Sequence, residues 1–265
     1  MLHTLALLAA LSAVPGQSGG LSLADARVTH GIMGPVRSGT KFLPGDTLFL
    51  AYDIDGITAD ADGKVLYTAA IEVKDSSGKQ VVNQKPSDEE TIMALGGTRL
   101  PAFAQVAIGL EQQPGEYVVK VTVTDRSSKK TATLEQKFEV LPRDFGISRL
   151  VLTGDPEGRV PAGLLGVGQE LYVNAMVVGF QRGAGQQPNV RVELRVLDEN
   201  NKPTLAKPFA GEITKDVPPK DTALPVQFLL GLNRPGKFTV ELKAIDKSNN
   251  KTATQTFPIT VSPSK

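Results

Sequence analysis

From residue 20 onward, apolar and polar residues alternate with a period of two in short runs broken by Gly, Pro, Asp and Asn, the signature of half-buried β-strands. The clearest run is Pro114 to Pro142, which recurs without a gap at Pro235 to Pro263. In the first copy Tyr117, Val119, Val121 and Val123 fall on one face, and Val118, Lys120, Thr122 and Thr124 on the other. Phe238, Val240, Leu242 and Ala244 repeat the apolar face in the second. After a polar tip anchored by Asp125 or Asp246, each copy returns along a strand ending at Val140 or Val261. Ala132, Leu134, Phe138 and Val140 face inward there, matched by Ala253, Phe257, Ile259 and Val261. Pro258 lacks a ladder donor, which predicts that the last strand lies at an edge or is paired on one side only at that point.

The rest of the chain extends the duplication. Leu21 to His30 reads as an opening strand, followed by a loop over Gly31 to Gly39. The Pro44-Gly45-Asp46 turn leads into Thr47 to Ile54, whose Leu48, Leu50, Tyr52 and Ile54 correspond to Leu171, Val173, Ala175 and Val177 after Val167-Gly168-Gln169. Val65 to Asp75 and Val190 to Asp198 follow as strands closed by polar turns. Then come a variable loop and a strand near Ala102 to Leu110 or Ala223 to Leu232. The prediction is all-β, with two tandem sandwiches of about seven strands each over 21–142 and 143–265.

Composition narrows the function classes. Cysteine is absent, which removes disulfides and thiolate metal sites, and so is tryptophan. Net charge is +1, with 13 basic and 16 acidic residues in 21–142 and 16 and 12 in 143–265. Neither half is basic enough for nucleic-acid binding. Residues Leu2 to Val14 form a leucine- and alanine-rich run too short to span a bilayer comfortably, followed by Pro15, Gly16, Gln17, Ser18, Gly19 and Gly20; residues 1–20 are therefore expected to be a secretory signal peptide. Cleavage is expected after Ala13, Gly16 or Ser18. An Ala24 to Ala26 site would trim the opening strand, because Ala26 to Gly31 align on Arg149 to Gly154. The mature chain is expected to be secreted or periplasmic, without a membrane span.

Candidate chemistry is sparse. Asp53, Asp55, Asp60 and Asp62 alternate around Gly56 and Gly63 and raise calcium as one reading, since calcium takes six to eight oxygen ligands. The other reading is an acidic edge that keeps a strand solvated; the spacing is not that of an EF-hand. Beyond the leader His30 is the sole histidine, at a strand end, and no nucleophile or carboxylate pair stands out. No catalytic, cofactor-binding or metal-binding residue is assigned, no cofactor is expected, and the chain reads as not an enzyme. The tips Arg126 to Lys130 and Lys247 to Lys251 are either solvated turns or a repeated contact surface for an anionic polymer or protein. Asn250-Lys251-Thr252 is a glycosylation sequon, relevant in a eukaryotic host. Phe49 and Tyr172 occupy equivalent outward positions, either under a neighbouring loop or on a face for sugar or protein. The linker Leu141 to Gly146 is short and contains Pro142, which predicts restricted bending between sandwiches set end to end, with Phe145 between them.

The run from Gly109-Leu110 through Pro114-Gly115-Glu116-Tyr117 into alternating valines and Asp125 resembles the E-to-F corner and F strand of bacterial immunoglobulin-like and fibronectin type III-like repeats. In those families the tyrosine hydroxyl often bonds back to the corner backbone, which the resemblance implies for Tyr117; Phe238 has no hydroxyl to do so. The resemblance implies a spacer, adhesion or binding module in a secreted bacterial protein. The expected function is a non-catalytic interaction or structural module at the bacterial envelope or outside the cell, with an unidentified protein or polysaccharide partner. The alternative is a carbohydrate-binding or calcium-dependent adhesive protein.

Overall fold

A computed structural model describes residues 20–263, so the expected leader lies outside the described residues apart from Gly20. The first half carries β1 (Ser22–Thr29), β2 (Lys41–Phe42), β3 (Thr47–Asp55), β4 (Lys64–Asp75), β5 (Gln80–Ile92), β6 (Arg99–Ala107), β7 (Gly115–Asp125) and β8 (Thr131–Val140). The second repeats the order as β9 (Gly146–Thr153), β10 (Leu165–Gly166), β11 (Glu170–Val178), β12 (Val190–Leu197), β13 (Phe209–Ile213), β14 (Ala223–Gly231), β15 (Gly236–Asp246) and β16 (Lys251–Ser262). One 3₁₀ turn, Ala184–Gln186, interrupts the loop before β12.

Each half pairs a three-stranded sheet with a five-stranded one. The orders are β1-β3-β6 against β2-β8-β7-β4-β5, and β9-β11-β14 against β10-β16-β15-β12-β13. In immunoglobulin lettering both are ABE facing A′GFCC′, a Greek-key sandwich of the immunoglobulin-like and fibronectin type III-like kind. The opening strand switches sheets: after β1 pairs antiparallel with β3, β2 pairs parallel with β8. Phe42 shows why two residues suffice for β2. Its buried ring meets Phe138 edge-on at 5.9 Å, and Phe138 in turn stacks on Tyr117 at 5.5 Å.

Inward faces follow the alternation. Leu48, Leu50, Tyr52 and Ile54 lie across one core from Tyr117, Val119, Val121 and Val123, and Leu171, Val173, Ala175 and Val177 lie across the other from Phe238, Val240, Leu242 and Ala244. Full burial of each large aliphatic side chain contributes about 1.5–3 kcal/mol, so these rows are what hold each pair of sheets together without a disulfide. Pro258 sits opposite Thr239 of β15, and β10 meets β16 only at Val261 and Ser262, beyond the missing donor.

Three readings of the sequence need correction. Each half has eight strands rather than about seven. The variable loop after β4 and β12 is β5 or β13, an outer strand whose residues are almost all exposed and so lack an apolar alternation. The opening strands also align one residue differently: Thr29 pairs with Phe49 as Thr153 pairs with Tyr172, so Thr153 corresponds to Thr29 and not to His30. Both threonine hydroxyls donate to the carbonyl two residues on, Gly31 or Asp155. The extra residue lies in the loop between the opening strand and β3, which is one residue longer than its counterpart before β11. Both opening strands carry a bulge at the same place, Asp25 (φ 50) in β1 and Arg149 (φ 49) in β9.

Candidate functional site

The bulge at Arg149 builds the contact between the two halves. A bulged residue leaves the ladder, so its main-chain N–H is available to another acceptor. Arg149 donates that N–H to Asp46 Oδ1 at 2.8 Å and its Nε–H to the Gly45 carbonyl at 2.7 Å. Asp46, buried in the β2–β3 turn, also accepts from Thr47 N at 2.8 Å and from Arg37 at 2.9 Å. One carboxylate therefore ties its own turn, its own loop and the second sandwich. Beside it the His30 ring is buried with its centroid 5.6 Å from that of Phe257, a core residue of the second half. Burial pulls its pKa down to about 4, with the Arg37 guanidinium acting in the same direction. Phe145 does not stand between the cores: it packs into the second one. Gly179 (φ +66) passes so close to the linker that any Cβ there would run into the Asp144 carbonyl.

Next to this junction, Thr47, Phe49 and Gln105 of the first half and Arg149, Val151 and Asn174 of the second line a shared groove of about 610 Å³. The equivalent aromatics thus part company. Phe49 is buried, while Tyr172 is half-buried and donates its hydroxyl to Glu170 at 2.9 Å.

The four aspartates are not brought together as ligands. Arg99, directly opposite Asp55 in the β3–β6 ladder, forms a two-pronged bond with it at 2.7 and 3.0 Å and reaches Asp53 at 3.5 Å and Asp25 at 3.4 Å. The Arg99 hydrogen bonds hold the Asp55 carboxyl below its ordinary range. Asp60 instead closes a turn, accepting from Asp62 N and Lys64 N. Among the described residues no group of three or more His, Asp or Glu is placed to hold a metal.

The hairpin tips share a different device. Asp125, fully buried, accepts from Ser127 N at 2.8 Å, Ser128 N at 3.2 Å and Ser128 Oγ at 2.7 Å, and from Thr58 N across the sandwich at 3.1 Å. Burial pushes its pKa up, but these hydrogen bonds outweigh it and hold the group at about 2. Asp246 repeats the pattern with Ser248 N and Gln181 N. Several tip cations are already engaged: Arg126 with Asp88, Lys247 with Glu212 and Lys251 with Asp144. Asn250 occupies the left-handed position of its tip (φ 60), as Lys129 does in the other (φ 62).

The junction was not legible in the sequence as a site. Its one signal was Asp46 in a Pro-Gly-Asp turn whose second-copy counterpart is Gln169. A cleft between β5 and β6 of the first half has no signature in the sequence either; Tyr52, Tyr67, Glu89 and Phe103 line it.

No family model matches the sequence, and no curated protein does. Among solved structures the chain is similar to the C-terminal domain of the Streptococcus agalactiae AgI/II polypeptide BspA, at 11% identity over 91% of this chain and 99% of that one, with a TM-score of 0.30. It is similar to the fibronectin(III)-like modules of Clostridium thermocellum CbhA, at 11% identity over 90% and 95% with a TM-score of 0.25. Red sea bream transglutaminase matches at 8% identity over 93% of this chain and 31% of that one, with a TM-score of 0.28. The fold assignment stands on strand order and register, independently of these likenesses.

Proposed function

We propose that the chain is a secreted, non-catalytic protein whose two immunoglobulin-like domains, 21–142 and 143–265, act as one stiff interaction or structural module at a bacterial envelope or outside the cell. The junction carries this reading. Asp46 accepts from both halves and His30 is buried against the second core, whereas a mere tether would leave the facing surfaces solvated. A stiff pair holds its outer loops at a set spacing, which is what a spacer or bivalent contact surface needs. The apolar leader before residue 20 supports export, and among the described residues no helix is long and apolar enough to cross a membrane.

Two measurements test the reading. Expressed from its full gene in a bacterial host, the chain should be recovered outside the cytoplasm with its N-terminus between Val14 and Gly20; recovery in the cytoplasm with Met1 intact would remove the export half. Residual dipolar couplings from the two sandwiches should fit a single alignment tensor, and two unrelated tensors would remove the stiff-module half.

A further inference from the structure

Because the chain holds two copies of one sandwich, the second copy shows what the first looks like without added features. Set side by side through the strand register, the copies depart from each other on the open side of the first sandwich between β4–β5 and β6. Tyr52, Tyr67, Gln84, Ser87 and Glu89 face this cleft in the first half. The same ladder positions in the second half are Ala175, Val190, Phe209, Gly211 and Ile213. Every polar group is replaced by an apolar residue. The facing strand changes in the opposite sense: Ala102 of β6, which lines the cleft, stands where β14 has Val226. The smaller residue in β6 leaves room that the larger one takes up in the second copy.

We infer that this cleft is a binding site for a short saccharide. Its volume of about 550 Å³ falls within the ~300–1,000 Å³ of small-molecule sites. Tyr52 is only 2% exposed and Tyr67 is half-buried, and both line the cleft. Burial raises both above the ordinary tyrosine value, Tyr52 to about 12, so each hydroxyl stays a neutral donor and acceptor at neutral pH. Directly opposite Tyr67, Glu89 accepts a 2.8 Å hydrogen bond from Ser87 Oγ, which orients its carboxylate. Phe103, on β6, offers an exposed ring at the rim.

Neutral hydroxyls and amides around aromatic faces match the alternating C–H and O–H surface of a sugar. A fatty chain would take two tyrosine hydroxyls and the Glu89 carboxylate out of water and offer them no hydrogen bond, at a desolvation cost of about 1–3 kcal/mol each. The only ionised side chains on the wall, Lys85 and Glu89, are opposite in sign, which disfavours an anion. A competing explanation of Glu89 is that an inward-pointing charge on an outer strand discourages edge-to-edge association.

The test uses the full mature chain, ¹⁵N-labelled and titrated to millimolar levels with maltose, cellobiose, lactose and N,N′-diacetylchitobiose. At least one should give saturable shifts confined to the β4, β5 and β6 residues of the cleft. Tyr67→Phe, which removes only a hydroxyl, and Phe103→Ala should each weaken that binding about tenfold while thermal stability stays near wild type. The inference is overturned if no sugar of the panel moves these resonances, or if Tyr67→Phe binds as well as wild type. Self-association of Glu89→Ile alongside a silent titration would assign the polar wall to edge protection. None of these outcomes bears on the junction or on export, so the saccharide site and the stiff-module reading fail separately.

Discussion

Asp46 Oδ1 and the main-chain N–H of Arg149, 103 residues apart, meet at 2.8 Å across the junction of the two sandwiches. The same carboxylate is paired with Arg37, whose side chain is itself largely buried. Removing one partner of a buried ion pair costs about 3–5 kcal/mol, because the remaining charge stays desolvated. Asp46→Ala should therefore lower the stability of the first sandwich by about 3 kcal/mol in urea unfolding. It should also release the second half, which small-angle scattering would register as a broader distribution of end-to-end distances. A variant that loses stability but keeps the wild-type scattering profile would confine Asp46 to its own turn.

His30 gives the junction a pH dependence with a defined sign. Its folded-state pKa of about 4 lies below the ordinary 6.5, so between these values the unfolded chain binds more protons and stability rises with pH. The contribution is complete above pH 6.5 and lost as pH falls toward 4; 2.5 pH units correspond to roughly 3 kcal/mol. Asp125 acts lower, since its carboxylate protonates only near pH 2 and its contribution fades between the ordinary 3.8 and that value. Denaturant midpoints measured from pH 7 to pH 4.5 should fall steadily in the wild type and stay nearly flat in His30→Leu. Parallel slopes in the two proteins would mean that His30 is hydrated in solution.

Arg99 decides what the acidic face of β3 does. It supplies the countercharge for Asp55, Asp53 and Asp25 at once. Replacing it in Arg99→Ala should let the Asp55 carboxyl titrate back toward its ordinary range, followed by carboxyl ¹³C shifts against pH. Calcium should leave the wild-type melting temperature unchanged. A calcium-dependent rise in the wild type would show that the cation displaces Arg99 and would restore the calcium reading.

Legibility in the sequence tracked burial. The hairpin β7–β8 and its repeat β15–β16 were readable residue by residue, because one face is apolar apart from Gln136 and Gln255 and the turn is fixed by Asp125 or Asp246. β5 was not readable, since Gln80 to Ile92 lies at the outer edge of its sheet with almost every side chain exposed, and an exposed strand has no period to detect. β2 and β10 are two residues long, below the length at which alternation has meaning. The one-residue offset of the opening strands is hidden because the extra residue lies in the loop before β3, where no alternation marks it. The aspartates around Gly56 were visible as a charge cluster, but their partner, Arg99, comes from a strand 44 residues beyond Asp55. The junction and the cleft both arise from such long-range juxtapositions.

Tyr117 tests how far the two copies have diverged at the corner before β7 and β15. Its hydroxyl donates to the Gln113 carbonyl at 2.7 Å and accepts from Gln112 Nε2 at 2.7 Å, which ties the corner to the core. In the second copy Phe238 has no hydroxyl, and the Arg234 guanidinium lies over its ring at 4.8 Å, a contact worth about 0.5–1 kcal/mol at an exposed site. Tyr117→Phe strands a carbonyl and an amide at the price of about 1–2 kcal/mol. It should lower the unfolding midpoint of the first sandwich and leave the second unchanged. Phe238→Tyr should gain little, because the second corner already has Arg234 in place. Amide hydrogen exchange at Gln112 to Gly115 and at Arg234 to Gly236 separates the two cases: only the first segment should exchange faster in Tyr117→Phe, and equal protection in wild type and variant would leave the hydroxyl without a structural role.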